Sequence, residues 1–317
     1  MTKLPPATRM KFSFKGRDFL TLMDFTAKEV EFIVDTAIEF KRKWATKESH
    51  EYLKGRTIGM LFEKPSTRTR VSFMVAIAHL GAHPFPLTPQ VMQLSRGEPI
   101  KDTARVLDRY LDGLVIRTFG QEIVDEYAKY MRIPVINALT DLTHPCQGLA
   151  DLMTIWEKKG KHRKLKIAYV GDIWNVCHTL MVVSTLFGYN MHIARPKGYD
   201  ANARIMEYVS EKGGEITFTE DLGEALKDAD VVYANTWHSM GGPEAEKEKR
   251  LKDWKGYQVN IENTKVCKRD FIFMHCLPGY RGEEMTDEVI EGPHSVVWEQ
   301  AENRMHTEKA VLALFIP

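Results

Sequence analysis

The sequence holds no CxxC pair, no long apolar run and almost no net charge. Its four cysteines, Cys146, Cys177, Cys267 and Cys276, are scattered through 317 residues. That spacing speaks against a zinc site and against a disulfide framework, so they read as reduced thiols of a cytoplasmic protein. No stretch approaches the roughly 20 apolar residues that a membrane helix needs, so no membrane partner is expected. The segment Met1–Arg9 lacks the apolar centre of a secretory signal. Lysine plus arginine (44) and aspartate plus glutamate (43) nearly cancel, leaving a net charge of +1. Such a chain has no global field to draw nucleic acid, so any anion must be recognised locally. A dinucleotide turn of the form Gly-x-Gly-x-x-Gly is missing where it is needed. The turn after the strand at 166–170 runs from Gly171 through Asp172, Ile173 and Trp174 to Asn175. No internal sequence repeat is present.

What is present points to a two-domain α/β protein. Apolar residues make up 44% and charged residues 27%, and the length suffices for two cores. Thr26 and Glu29 fit a capping box, opening a helix with Val30, Ile33, Val34, Ala37 and Ile38 on one face. Strands are expected at 56–62, 82–87, 113–118 and 133–137, with helices at 71–80, 102–111 and 123–131. A charged break at 157–164 separates a second series, with strands at 166–170, 191–194, 230–234, 271–274 and 295–298. A helix is expected near 201–212 and another at 302–314. Strands alternating with helices imply parallel sheets flanked by helices, whose ligands bind beyond the carboxyl ends of the strands.

Ser66, Thr67, Arg68, Thr69 and Arg70 lie between the strand at 56–62 and the helix at 71–80. Hydroxyls and guanidiniums therefore meet at a helix N-terminus, where free N–H groups and the helix dipole already favour an anion. Arginine adds a planar fork that matches phosphate oxygens. The same residues are also compatible with ordinary helix capping. Other polar groups follow predicted strands in the same way: Arg117 with Thr118, His144 with Gln147, the run Asn235–Gly241, and His275 with Cys276. Singly, Arg117 can be a strand-end charge, His144 a neighbour of a helix cap and Cys276 a core thiol. Together they cluster at the functional edge of the sheets.

From about residue 17 onward the chain resembles the aspartate/ornithine carbamoyltransferase family, in its ornithine branch. The residues that carry this are Ser66–Arg70, the His144-Pro-Cys-Gln147 motif, Ser239-Met240-Gly241 and the His275-Cys-Leu-Pro278 motif. The resemblance implies a carbamoyl phosphate domain over 1–147 and an amino-acid domain over 148–301, with a last helix at about 302–317 packing back on the first. It implies transfer of a carbamoyl group from carbamoyl phosphate to L-ornithine, with neither metal nor organic cofactor. Ser66, Thr67, Arg68 and Thr69 would hold the phosphate, helped by Arg117, and Arg304, in Glu302-Asn303-Arg304, matches a further ligand-binding arginine of the family. His144, Arg117 and Thr69 would donate to the carbamoyl oxygen, and Gln147 with the Leu277 carbonyl would hold the carbamoyl amide. Cys276 would sit beside the attacking amine. Asn175, Asn235, Ser239 and Met240 would bind ornithine. The family forms homotrimers or multiples of them, and Gln93 is the residue that would reach a neighbouring subunit's site.

Two positions depart from the family pattern. Asn235 stands where ornithine enzymes usually carry an aspartate for the substrate ammonium, and Trp174 replaces a small polar residue. A neutral acceptor is worth less against a charged group, about 1 rather than 1.5–3 kcal/mol. A carbamoyltransferase for another amine such as putrescine therefore stands as the alternative, with a non-catalytic carbamoyl phosphate-binding paralogue behind it.

Overall fold

The structure is a computed structural model, and it describes residues 12–161, 164–238 and 244–317. It divides into two compact units, Met1–Met153 with Glu302–Pro317, and Thr154–Ala301.

The first unit is built on a four-stranded parallel sheet of order β2-β1-β3-β4, where β1 is Thr57–Phe62, β2 His83–Leu87, β3 Gly113–Arg117 and β4 Val135–Leu139. β3 and β4 are buried along their whole length, as expected of parallel strands covered on both faces. Helices α1 (Ala27–Ala45), α2 (Thr67–His79), α3 (Ile100–Leu107) and α4 (Gln121–Tyr130) alternate with them. The Thr26–Glu29 capping box forms as expected, with both reciprocal bonds present. Phe315, near the chain's end, packs on Phe14, Phe19 and Phe25, with centroids 5.2–5.7 Å apart.

The second unit has a five-stranded parallel sheet of order β7-β6-β5-β8-β9. Its strands are β5 Lys166–Val170, β6 Asn190–Ala194, β7 Ile216–Thr219, β8 Val231–Ala234 and β9 Ile272–His275. α5 (Pro145–Lys159), α6 (Asn175–Phe187), α7 (Ala203–Lys212), α8 (Leu222–Leu226), α9 (Lys247–Asp253), α10 (Asp287–Ile290) and α11 (Val297–Phe315) complete the chain, and the unit boundaries fall inside α5 and α11.

The expectation of parallel α/β sheets is met; two local readings are corrected. The segment 295–298 is not a strand: Ser295 makes one isolated bridge to Phe273, and α11 begins at Val297. Val296, Val297 and Trp298 resemble a strand because β-branched and aromatic residues favour one, yet Val297 and Trp298 open helix α11, with Trp298 exposed. Conversely, β7 was not expected, because its alternation of Ile216 and Phe218 with threonines is short and half-exposed.

Each sheet has one place where neighbouring strands send their connections in opposite directions. In the first it lies between β1 and β3, in the second between β5 and β8. Ligands of open α/β sheets bind at the carboxyl ends there.

Candidate functional site

In the first unit, Phe62 at the end of β1 pairs in register with Arg117 at the end of β3. The loop after β1 leads into α2, where Ser66 adopts extended backbone and its Oγ accepts the Thr69 N–H at 3.1 Å. That cap makes Thr67, Arg68 and Thr69 the first turn, which contains no acidic residue to compete with an anion. Thr69 is buried, and its Oγ1 accepts from Arg117 Nη1 at 3.3 Å and from Arg304 Nη2 at 2.6 Å. Arg117 and Arg304 are themselves buried. Two guanidiniums thus converge on one neutral oxygen, beside a helix N-terminus that already favours negative charge. A phosphate oxygen suits that geometry better than a hydroxyl does, because each bond becomes one between charges. Arg70 turns elsewhere, stacking its guanidinium over the Phe62 ring at 5.2 Å.

His144 immediately precedes α5 and is buried. Burial, then the charges of Arg304, Arg117 and Arg68, hold its imidazole well below the usual histidine range. It is therefore neutral at physiological pH, a donor that brings no further charge into the cluster. Gln147 lies within the first turn of α5, and its Nε2 donates to Asp151 Oδ1 at 2.8 Å. Its Oε1 is buried with no hydrogen-bond partner among the described residues. An orphaned buried amide oxygen costs about 1–3 kcal/mol. An N–H of a bound carbamoyl group would satisfy it.

In the second unit, three strands end level, since Val170 pairs with Ala234 and Ala234 with His275. The residues that follow, Gly171, Asn235 and Cys276, are thereby brought side by side. A Cβ on Gly171 would lie 2.3 Å from the Asn235 carbonyl oxygen, and its φ is +145°, so this approach requires glycine. Asn235 donates from Nδ2 to the Tyr169 hydroxyl at 2.9 Å, and its Oδ1 accepts from Cys276 Sγ at 3.3 Å. The Tyr169 hydroxyl in turn donates to the Asp172 carbonyl at 2.8 Å.

The turn bearing Cys276 is braced from behind. His275 Nδ1 accepts the Leu277 N–H at 2.8 Å, so its proton sits on Nε2, which donates to Glu284 Oε1 at 3.2 Å. The His275 N–H donates to Gln300 Oε1 at 2.9 Å. Leu277 has a left-handed φ of +57°, a conformation costing about 1–2 kcal/mol for a branched side chain.

Asn175 is buried at the first position of α6, and Trp174 before it is half-buried. Gln93 is exposed on a short turn, Gln93–Arg96. Ser239 and Met240 lie outside the described residues. The sequence did not single out Tyr169, Glu284, Gln300 or the pair of Asp172 with Arg250, whose Nη1 donates to the Asp172 carboxylate at 2.8 Å. No local signal marks them: Arg250, Glu284 and Gln300 sit among polar residues, and their partners are distant in sequence. Among the described residues no His, Cys, Asp and Glu cluster has the makings of a metal site.

Residues 17–157 match the family model for the aspartate/ornithine carbamoyltransferase carbamoyl-P binding domain, and residues 163–315 that for the Asp/Orn binding domain. Ornithine carbamoyltransferase of Pyrococcus horikoshii is 50% identical, over 97% of this chain and 98% of that protein. The solved ornithine carbamoyltransferase of Pyrococcus furiosus shares 50% identity and superposes with a TM-score of 0.92, covering 96% of this chain and 99% of that one. The Thermus thermophilus enzyme gives a TM-score of 0.86 at 39% identity, over 95% and 99% of the two chains. With a guanidinium cluster at the end of one sheet and a braced Cys276 turn at the end of the other, the chain belongs to the aspartate/ornithine carbamoyltransferase family.

Proposed function

We propose that this protein transfers the carbamoyl group of carbamoyl phosphate to the side-chain amine of L-ornithine, giving L-citrulline and phosphate. The observation that carries this reading is the convergence of Arg117 and Arg304 on Thr69 Oγ1 at the start of α2. Ser66, Thr67, Arg68 and Thr69 hold the phosphate together with Arg117 and Arg304. Neutral His144, with Arg117 and Thr69, donates to the carbamoyl oxygen. Gln147 Oε1 and the Leu277 carbonyl accept from the carbamoyl amide.

The neutral amine attacks the carbamoyl carbon. The new C–N bond forms, the C–O bond to phosphate breaks, and the proton lost from nitrogen leaves with the phosphate. Negative charge grows on the carbamoyl oxygen and on the departing phosphate. Fixed donors already in place stabilise both without reorganising, and one such donor typically contributes about 10²–10³-fold in rate. Cys276 stands beside the amine, with Asn175, Asn235, Ser239 and Met240 binding the rest of ornithine.

Assembly into a homotrimer, or multiples of it, belongs to this reading, with Gln93 completing a neighbouring copy's site. Phe85, Val106 and Tyr110 of the first unit are exposed apolar side chains, and β2, which bears Phe85, is a sheet edge. Such surfaces call for a partner. The cytoplasm is the proposed location.

The test is Arg68→Ala. Turnover should drop below detection while the melting temperature stays within a few degrees of wild type. Turnover left intact would show that phosphate binds elsewhere.

A further inference from the structure

Glu308 is a buried carboxyl that the reaction above leaves unused. It lies one turn beyond Arg304 on α11, is 0% exposed, and its Oε1 stands 3.6 Å from Arg304 Nη2. That is the spacing of an ion pair rather than of a hydrogen bond. The same Nη2 donates to Thr69 Oγ1. Arg304 is thus held on one side by an acid and on the other by the residue at the centre of the phosphate site. Facing Glu308 are Arg304 from α11, Ser72 from α2 and the Cys146 thiol from α5. Beyond Arg304 stand Arg117, linked to it through Thr69, and Arg68, both of which act on His144.

We propose that Glu308 is a positioning residue of the carbamoyl phosphate site, which seats the Arg304 guanidinium against Thr69 and takes up a proton when the phosphate anion binds. The inference rests on the carbamoyl phosphate reading given above. Its physics is that of one cation shared by two anions. In the empty site, burial pushes the Glu308 carboxyl up to about 8, with Arg304 and Ser72 pulling it back. A phosphate dianion on Arg304 takes over that stabilising charge and repels the carboxylate, so the carboxyl is driven further up. Two anions on one guanidinium is the unfavourable state, and protonation of Glu308 avoids it. Anion binding therefore draws in a proton wherever the pH lies above about 8 and below the raised value. His144 takes no part in this window, because it is held neutral from well below 6.5.

The test uses inorganic phosphate as the probe. Calorimetric titration near pH 8.5, in two buffers of different ionisation enthalpy, should show a fraction of a proton taken up per phosphate bound. The phosphate Kd of the wild type should rise severalfold between pH 7.5 and 9, the limit being tenfold per pH unit. Glu308→Gln keeps the shape of the side chain but cannot titrate. Its phosphate Kd should be flat over the same range, with no proton uptake. Proton uptake absent in the wild type, or a slope unchanged in Glu308→Gln, would overturn the proposal. A purely structural Glu308 would lower the melting temperature and leave the slope alone, which also overturns it. Phosphate binding that is absent, or indifferent to Arg68→Ala, would instead overturn the carbamoyl phosphate reading.

Discussion

At the scale of single residues, the site depends on side chains whose partners are far away in sequence. Ser66 and Thr69 are legible because a helix start is a local event, and a hydroxyl before an apolar-periodic segment announces it. Tyr169 is not legible as the partner of Asn235, since the two meet only because β5 and β8 are neighbours. That partnership bears on the departure at 235. Asparagine can donate to Tyr169 and leave the Tyr169 proton on the Asp172 carbonyl; aspartate can only accept. Asn235→Asp should then do two opposing things. It should lower the KM for ornithine by about tenfold through a charged bond to the ammonium. It should also lower the melting temperature by a few degrees, because the Tyr169 hydroxyl must swing from the Asp172 carbonyl. An unchanged KM would mean that residue 235 does not meet the ammonium. Glu284 is a second such residue. Its Oε1 accepts from His275 and from the Tyr280 N–H at 2.7 Å, wholly buried. Glu284→Ala strands both donors, and a loss of roughly 2–4 kcal/mol in stability is expected, with kcat falling as the Cys276 turn loosens. Denaturant unfolding at wild-type stability would contradict that bracing role.

At the scale of elements, α11 shows what periodicity conveys and what it hides. A helix near 302–314 is legible, but its start at Val297 is masked by strand-like residues. Its environment is hidden too. His306 on α11 is 0% exposed in its side chain and meets Trp44 of α1, with Glu302 at 3.2 Å. Burial, then Lys309, Lys41, His50 and His79, push its imidazole down to about 3. Glu302 is half-exposed, so it does not outweigh burial and four basic neighbours. A histidine kept neutral in the fold takes up its proton only on unfolding. Its contribution is therefore intact above about pH 6.5 and is lost as the pH falls toward 3. Glu308 has the opposite slope, because its carboxyl is raised, so a single protein's profile mixes the two. The difference between wild type and His306→Gln isolates the histidine. Between pH 6.5 and 5 the wild type should lose about 2 kcal/mol relative to the variant, at about 1.4 kcal/mol per pH unit. Parallel unfolding curves at both pH values would show that His306 is not held neutral.

At the scale of the whole molecule, the alternation of strands and helices announced the parallel sheets, because buried parallel strands are short apolar runs between amphipathic helices. Strand order was not announced. Nothing in a single sequence says that β1 lies between β2 and β3, or that β5, β8 and β9 end level, and these adjacencies bring the candidate residues of each sheet together. The near-zero net charge gives no overall field, yet the charges of Arg68, Arg117 and Arg304 are concentrated around His144. Light scattering should give three times the 36.4 kDa chain mass, or a multiple of that, and a monomer would remove Gln93 from the site. The most direct measurement is product formation by the wild-type protein with carbamoyl phosphate and a panel of amines. L-Ornithine should yield citrulline and phosphate in equal amounts, with putrescine far slower. Turnover of putrescine in preference to ornithine, or of no amine, would contradict the account.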